Sequence, residues 1–172
     1  MSKCKTETCK YDRVGDSQYC EFHRALAHKA WVERIRADKT KREGRSVEFK
    51  ALYEKALAAG KQAAASCIPV PMIVEQHANM ADDSSPVVQR YHEPEGVCGF
   101  AWVVIRPANS AFAHWLKKNT DGNAKSGYGG GLHYWISGYG QSMTRKEAFA
   151  KAFAKVLREE GLIKAFPESR MD

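Results

Sequence analysis

The chain has 172 residues, 44% hydrophobic and 27% charged, enough apolar material for one core domain of roughly 80–130 residues and a small appendage. No apolar run approaches the roughly 20 residues that a membrane helix needs, and the opening Met-Ser-Lys-Cys-Lys lacks an apolar signal stretch. Membrane insertion is thereby excluded and a cytoplasmic location expected.

The net charge of +7 is unevenly spread, with local balances of +5 over residues 1–50, −3 over 51–100 and +5 over 101–172. Clustered cations add their fields, so the two basic ends favour a polyanionic partner. Five cysteines are too few and too uneven for a disulfide scaffold, and three of them fall within the first 20 residues.

That crowding forms the sharpest motif in the chain, Cys4-x4-Cys9-x10-Cys20-x2-His23. A helix beginning near Cys20 would put Cys20 and His23, at i and i+3, on one face. The spacer from Lys10 to Tyr19 reads as a β-hairpin turning at Gly15-Asp16-Ser17. Three thiolates and an imidazole suit a closed tetrahedral Zn2+ site. Ordering such a segment costs roughly 1–2 kcal/mol per residue, whereas a structural zinc contributes on the order of 10–16 kcal/mol. Without metal, residues 4–23 are expected to be disordered. Free thiols in a mobile tail are the competing explanation, and His28 is a weaker ligand candidate because it points to another helical face.

The run Cys4…Cys9…Tyr19-Cys20-Glu21-Phe22-His23-Arg24 resembles the short Cys-Cys-Cys-His finger of phage HNH homing endonucleases and other small phage and bacterial DNA-associated proteins. The resemblance covers residues 4–24. It implies zinc and a DNA-associated setting, in an infected bacterial cell if the chain is phage-encoded. No HNH core follows, so nuclease activity is not implied.

From Cys20 to about Ala37 the chain lacks Gly and Pro and reads as a helix. Arg24, Lys29, Arg34 and Arg36 lie on it, followed by Lys41 and Arg42 in a polar link, and these six are the candidate phosphate contacts. Ser46 is placed to cap a second helix running to about Ser66, which Cys67-Ile68-Pro69-Val70-Pro71 ends. Glu75 to Gly96 is polar, acidic and turn-rich, and reads as linker and surface loops.

The last part reads as a βαβαβ sheet domain. Gly99–Ile105 is short, apolar and β-branched, as a central strand should be. Ser110 caps a helix carrying Phe112, Trp115 and Leu116, and Leu132–Ser137 is a second strand. Thr144-x-x-Glu147 forms a capping box for a long helix stopped by Gly161, and Leu162–Phe166 is a possible edge strand. The expected class is α+β, with a zinc finger and basic helix over 1–45, a helix and acidic loops over 46–97, and the sheet domain over 98–172.

Residues 99–172, with Gly99-Phe100-Ala101-Trp102, Gln141-Ser142-Met143 and the ending Ser169-Arg170-Met171-Asp172, are also similar to a group of uncharacterised bacteriophage proteins, which implies no activity. Gly127–Gly131 lacks both the GxGxxG order and a P-loop ending and leads into a strand, which disfavours a nucleotide cradle. Lys125–Tyr134 distantly resembles the RNP1 strand of RNA-recognition motifs, departing by an extra Ser126 and by glycines at aromatic positions. Tyr128, His133, Trp135 and Tyr139 are accordingly the candidate partner or base-stacking surface.

Catalytic signatures such as H-E-x-x-H, G-x-S-x-G and the deaminase H-x-E with C-x-x-C do not occur. Cys98 with His114 or His133, and His92-Glu93, are the residual catalytic pairings, and no catalytic residue is assigned. The expected function is a non-enzymatic, zinc-stapled nucleic-acid-binding protein, with DNA ahead of RNA. The alternative is a protein–protein module that modulates a host enzyme.

Overall fold

The computed structural model describes residues 3–12, 14–127, 129–161 and 163–172. It divides into two compact units, Met1–Val47 and Glu48–Asp172. The class is α+β: three helices and two antiparallel sheets among the described residues.

In the first unit the chain folds back on itself before entering helix α1 (Glu21–Ser66). The Cys4 N–H donates to the Tyr11 carbonyl and the Lys5 N–H to that of Gln18, with a bridge between Lys3 and Asp12. The expected hairpin over residues 10–19 is corrected. Its described residues form a tight turn, with the Ser17 N–H on the Val14 carbonyl and Gly15 at φ +58°, and no paired strands. The two arms bond the first knuckle, Tyr11 to Cys4 and Gln18 to Lys5, and among the described residues their one backbone bond across the turn is the long one from the Val14 N–H to the Tyr19 carbonyl, at 3.4 Å.

A second correction concerns α1, which continues without a break through Gly44, Arg45 and Ser46. The polar link and the Ser46 cap do not exist. One exposed Gly costs a helix only about 1 kcal/mol, and the surrounding Lys, Arg, Glu and Ala residues are good helix formers.

In the second unit the last turns of α1 present Ala56, Gly60 and Ala64 to the core. Small side chains at i, i+4 and i+8 permit close approach. A Cβ on Gly60 would lie 2.8 Å from the Phe149 ring. The chain then forms a hairpin, β1 (Met72–His77) with β2 (Val87–Glu93), where acidic loops were expected.

The main sheet has the order β4-β5-β3-β6 and is antiparallel throughout, with β3 (Gly99–Arg106) inside it. Beside β3 lies β6 (Lys164–Met171), longer than the expected edge strand and tolerant of Pro167 because its outer side is unpaired. Leu162, the first residue of that expected strand, lies outside the described residues. On the other side come β5 (Leu132–Trp135) and a short strand not anticipated, β4 (Ala124–Ser126).

Helix α2 (Ala111–Asn119) starts at the Ser110 cap, whose hydroxyl accepts from the Ala113 N–H at 3.2 Å. Helix α3 (Met143–Gly161) opens two residues earlier than the proposed capping box requires. Thr144 therefore lies inside the first turn, while the Glu147 side chain bonds Lys151 and Ser169.

Alternate residues of β3, Ala101, Val103 and Ile105, face a core shared with Phe112, Leu116, Phe149, Phe153 and Leu157. The other alternate set, Phe100, Trp102 and Val104, faces away from those helices. Among the described residues, no helix is long and apolar enough to cross a membrane.

Candidate metal centre and basic helix

The four predicted ligands converge. The sulfurs of Cys4, Cys9 and Cys20 and a ring nitrogen of His23 all lie within 4.8 Å of one another. Cys9 and Cys20 sulfurs are 3.6 Å apart, and His23 Nδ1 stands 3.3 Å from Cys20 Sγ and 3.6 Å from Cys4 Sγ.

Elementary geometry tests the fit. Donors at tetrahedral zinc distances stand about 3.8 Å apart sulfur to sulfur and about 3.6 Å sulfur to nitrogen. The Cys9–Cys20, Cys4–His23 and Cys20–His23 edges lie within about 0.3 Å of those values and far from the roughly 2.05 Å of a disulfide, and all five cysteines are free. The group could therefore hold a metal ion.

Local structure explains the convergence. Cys20 immediately precedes α1, its carbonyl accepting from the Arg24 N–H at 2.9 Å, so His23 falls in the first turn above it. The Cys20 N–H donates to Cys4 Sγ at 3.3 Å, tying the first knuckle to the helix start. Cys4 and Cys20 are buried, although few large apolar side chains accompany them.

Burial opposes ionisation of Cys4. The Thr6 and Cys20 backbone N–H groups, with the Thr6 hydroxyl and His23, outweigh it and bring the thiol down to about 6. Cys9 goes the other way: a bond from the Tyr11 backbone favours its thiolate, but burial and the adjacent Cys20 and Cys4 sulfurs together push it up. A cation between the sulfurs would stabilise the thiolate form of all three.

His28 stands outside the cluster, exposed and beside Trp31. Cys67 and Cys98 lie in the second unit. His114 Nδ1 faces the Ser110 carbonyl and His133 stacks on Trp102, so among the described residues neither is hydrogen-bonded to Cys98.

Arg24, Lys29, Arg34, Arg36, Lys41 and Arg42 are all exposed on α1, and none forms an ion pair among the described residues. At about 100° per residue they do not make one stripe. Lys29 and Arg36 share one side, Arg34 and Lys41 another. Leu26, Trp31 and Ile35 are about half exposed between them.

The proposed aromatic surface divides. His133 and Trp135 lie on the helix-free face of the main sheet, whereas Tyr139 packs against Phe149 at the core margin. Tyr128 lies outside the described residues. Sequence reading missed Phe100, Trp102 and Phe166 as members of that face. The available signal was the alternation of aromatic and aliphatic side chains in Phe100-Ala101-Trp102-Val103.

Fold and site together define an α+β chain whose N-terminal unit carries a Cys3His group suited to a metal. Compared with protein-family models, curated proteins and solved structures, the chain matches none.

Proposed function

We propose that the chain is a non-enzymatic, zinc-stapled protein that binds nucleic acid, DNA ahead of RNA, along the helix leaving the metal centre. Zinc is the metal favoured by three thiolates, one imidazole and closed tetrahedral spacing. Its role is structural: it holds the knuckles and fixes the start of α1. Arg24, Lys29, Arg34, Arg36, Lys41 and Arg42 then meet phosphates.

The observation that carries this reading is the set of exposed cations, without ion pairs among the described residues, spread around a helix segment buried against little of its own unit. Such cations release counterions when they neutralise phosphates, which gives affinity that falls steeply with salt. Distribution around the helix favours a partner that wraps or spans several sides over one flat contact.

Fluorescence polarisation with a labelled duplex, titrated from about 50 to 200 mM salt, tests it. Affinity should fall linearly on a log–log plot, and Arg34→Ala with Arg36→Ala should flatten the slope by about 1.8. Absence of affinity for duplex or single strands at about 50 mM salt refutes it. Elemental analysis should find about one zinc per chain. A protein partner is the second reading, favoured by the exposed Trp31 and Ile35 on the same segment. Partner capture that is indifferent to salt and lost on Trp31→Ala would select it.

A further inference from the structure

The helix-free face of the main sheet can be read row by row, because residues directly opposed in antiparallel strands share a face. Phe100 stands opposite Arg170. Trp102 stands between Trp135 and Glu168. Val104 stands between His133 and Phe166, and Lys125 of β4 extends that row beyond His133. Arg106 stands opposite Lys164. The result is a patch of rings bounded by cations.

The rings are arranged to be touched. Trp102 and Trp135 lie with centroids 4.8 Å apart, both are partly exposed, and Phe166 is 47% exposed. His133 is buried, and Gly127 sits so close to its imidazole that any Cβ would collide with it. The His133 ring, so confined, stacks on Trp102 at an interplanar angle of 15°.

The charges are one-sided. Lys125, Arg106, Lys164 and Arg170 are exposed and form no ion pair among the described residues. Within the rows from Phe100 to Arg106 the one carboxylate, Glu168, accepts the Trp102 indole N–H at 3.0 Å, and Asp172 lies beyond the last row, its N–H on the Cys98 carbonyl. Two of the cations, Arg106 and Lys164, oppose each other directly across neighbouring strands, an arrangement that costs stability. An anion lodged between them would convert that repulsion into attraction.

We infer that this face is a second nucleic-acid site, for an unpaired strand whose bases lie on Trp102, Trp135 and Phe166 and whose phosphates meet Arg106, Lys164, Lys125 and Arg170. Flat, sequence-tolerant aromatic contact requires bases that are free of a duplex stack, and the cations supply the backbone track. Phe100 is already flanked by Lys146 and Arg170 at about 5.5 Å, so it serves to hold Arg170 at the border. The inference shares its ligand class with the function proposed above but uses neither the metal nor α1.

The test uses the full chain in a Trp31→Phe background, titrated with a 15-nucleotide oligothymidylate at about 50 mM salt while indole emission is followed. Binding should quench the emission. Phe166→Ala should weaken it roughly 5- to 100-fold, the range for losing one stacked base. Lys164→Glu should weaken it about tenfold while leaving the melting temperature unchanged or higher, since it replaces a like-charged pair by an opposite one.

Arg34→Ala with Arg36→Ala should leave the quenching in place. If oligothymidylate causes no quenching, or both sheet variants bind within twofold of the parent, the inference is overturned. Salt-sensitive duplex binding would then still uphold the helix reading. A face covered instead by an acidic protein would give that same absence of quenching.

Discussion

Removal of the metal should unfold the N-terminal knuckles and leave the second unit intact. Tyr11, Val14, Tyr19 and Phe22, the large apolar side chains around the site, remain 71%, 46%, 38% and 63% exposed. Their buried fractions together amount to fewer than two fully buried side chains, worth about 3–5 kcal/mol. A structural zinc supplies on the order of 10–16 kcal/mol. The ion therefore outweighs the apolar contribution about threefold, and without it the knuckles lose most of what holds them folded. Hydrogen exchange with and without chelator reads this directly. Amides of residues 3–23 should lose protection, those of β3 and α3 should keep it, and Cys20→Ser should reproduce the chelated pattern. Protection of residues 3–23 that survives complete metal removal would refute the reasoning.

In the second unit, Arg145 donates to the Ala64 and Cys67 carbonyls at 3.0 and 2.8 Å and pairs with Glu95 at 2.7 Å. Arg145→Met should lower the urea midpoint markedly more than Glu95→Gln, because two carbonyls at the end of α1 lose their donor whereas Glu95→Gln removes only a partly exposed ion pair. The bond from Arg145 holds the Glu95 carboxyl below its ordinary range. Its contribution is present above the unfolded value of about 4.3 and is lost as pH falls through the lower folded value, so Glu95→Gln should flatten the acid limb of the stability profile. Gly60→Val should destabilise the second unit by about 1–3 kcal/mol through overpacking against Phe149, measured as a lowered urea midpoint.

The convergence of Cys4, Cys9, Cys20 and His23 was legible because these residues are local: two knuckles within 20 residues carry their own spacing code. The β1–β2 hairpin was not. Ile73 and Val88 are more than 60% exposed, so its strands lack the buried-face alternation that marks a half-covered sheet, and the acidic turns around Asp82 dominate the segment. The unbroken α1 was hidden by Gly44 and a polar run that mimic a link, since propensity alone does not say whether one weak residue stops a helix. The aromatic face was only half visible. Trp102 and Trp135 are far apart in sequence, and only strand register brings them together. Conversely, Tyr139, which composition groups with them, belongs to the core side, beside Phe149.

Register also governs the order of events during synthesis. Strand β3 gains its first neighbour when β5 emerges, but its whole other edge waits for β6, more than fifty residues behind it. Until then a nascent chain displays an unsatisfied apolar ribbon, the kind of surface on which chaperones and stray strands fasten. A chain cut short within α3 would keep that ribbon uncovered and stay open to such attachment.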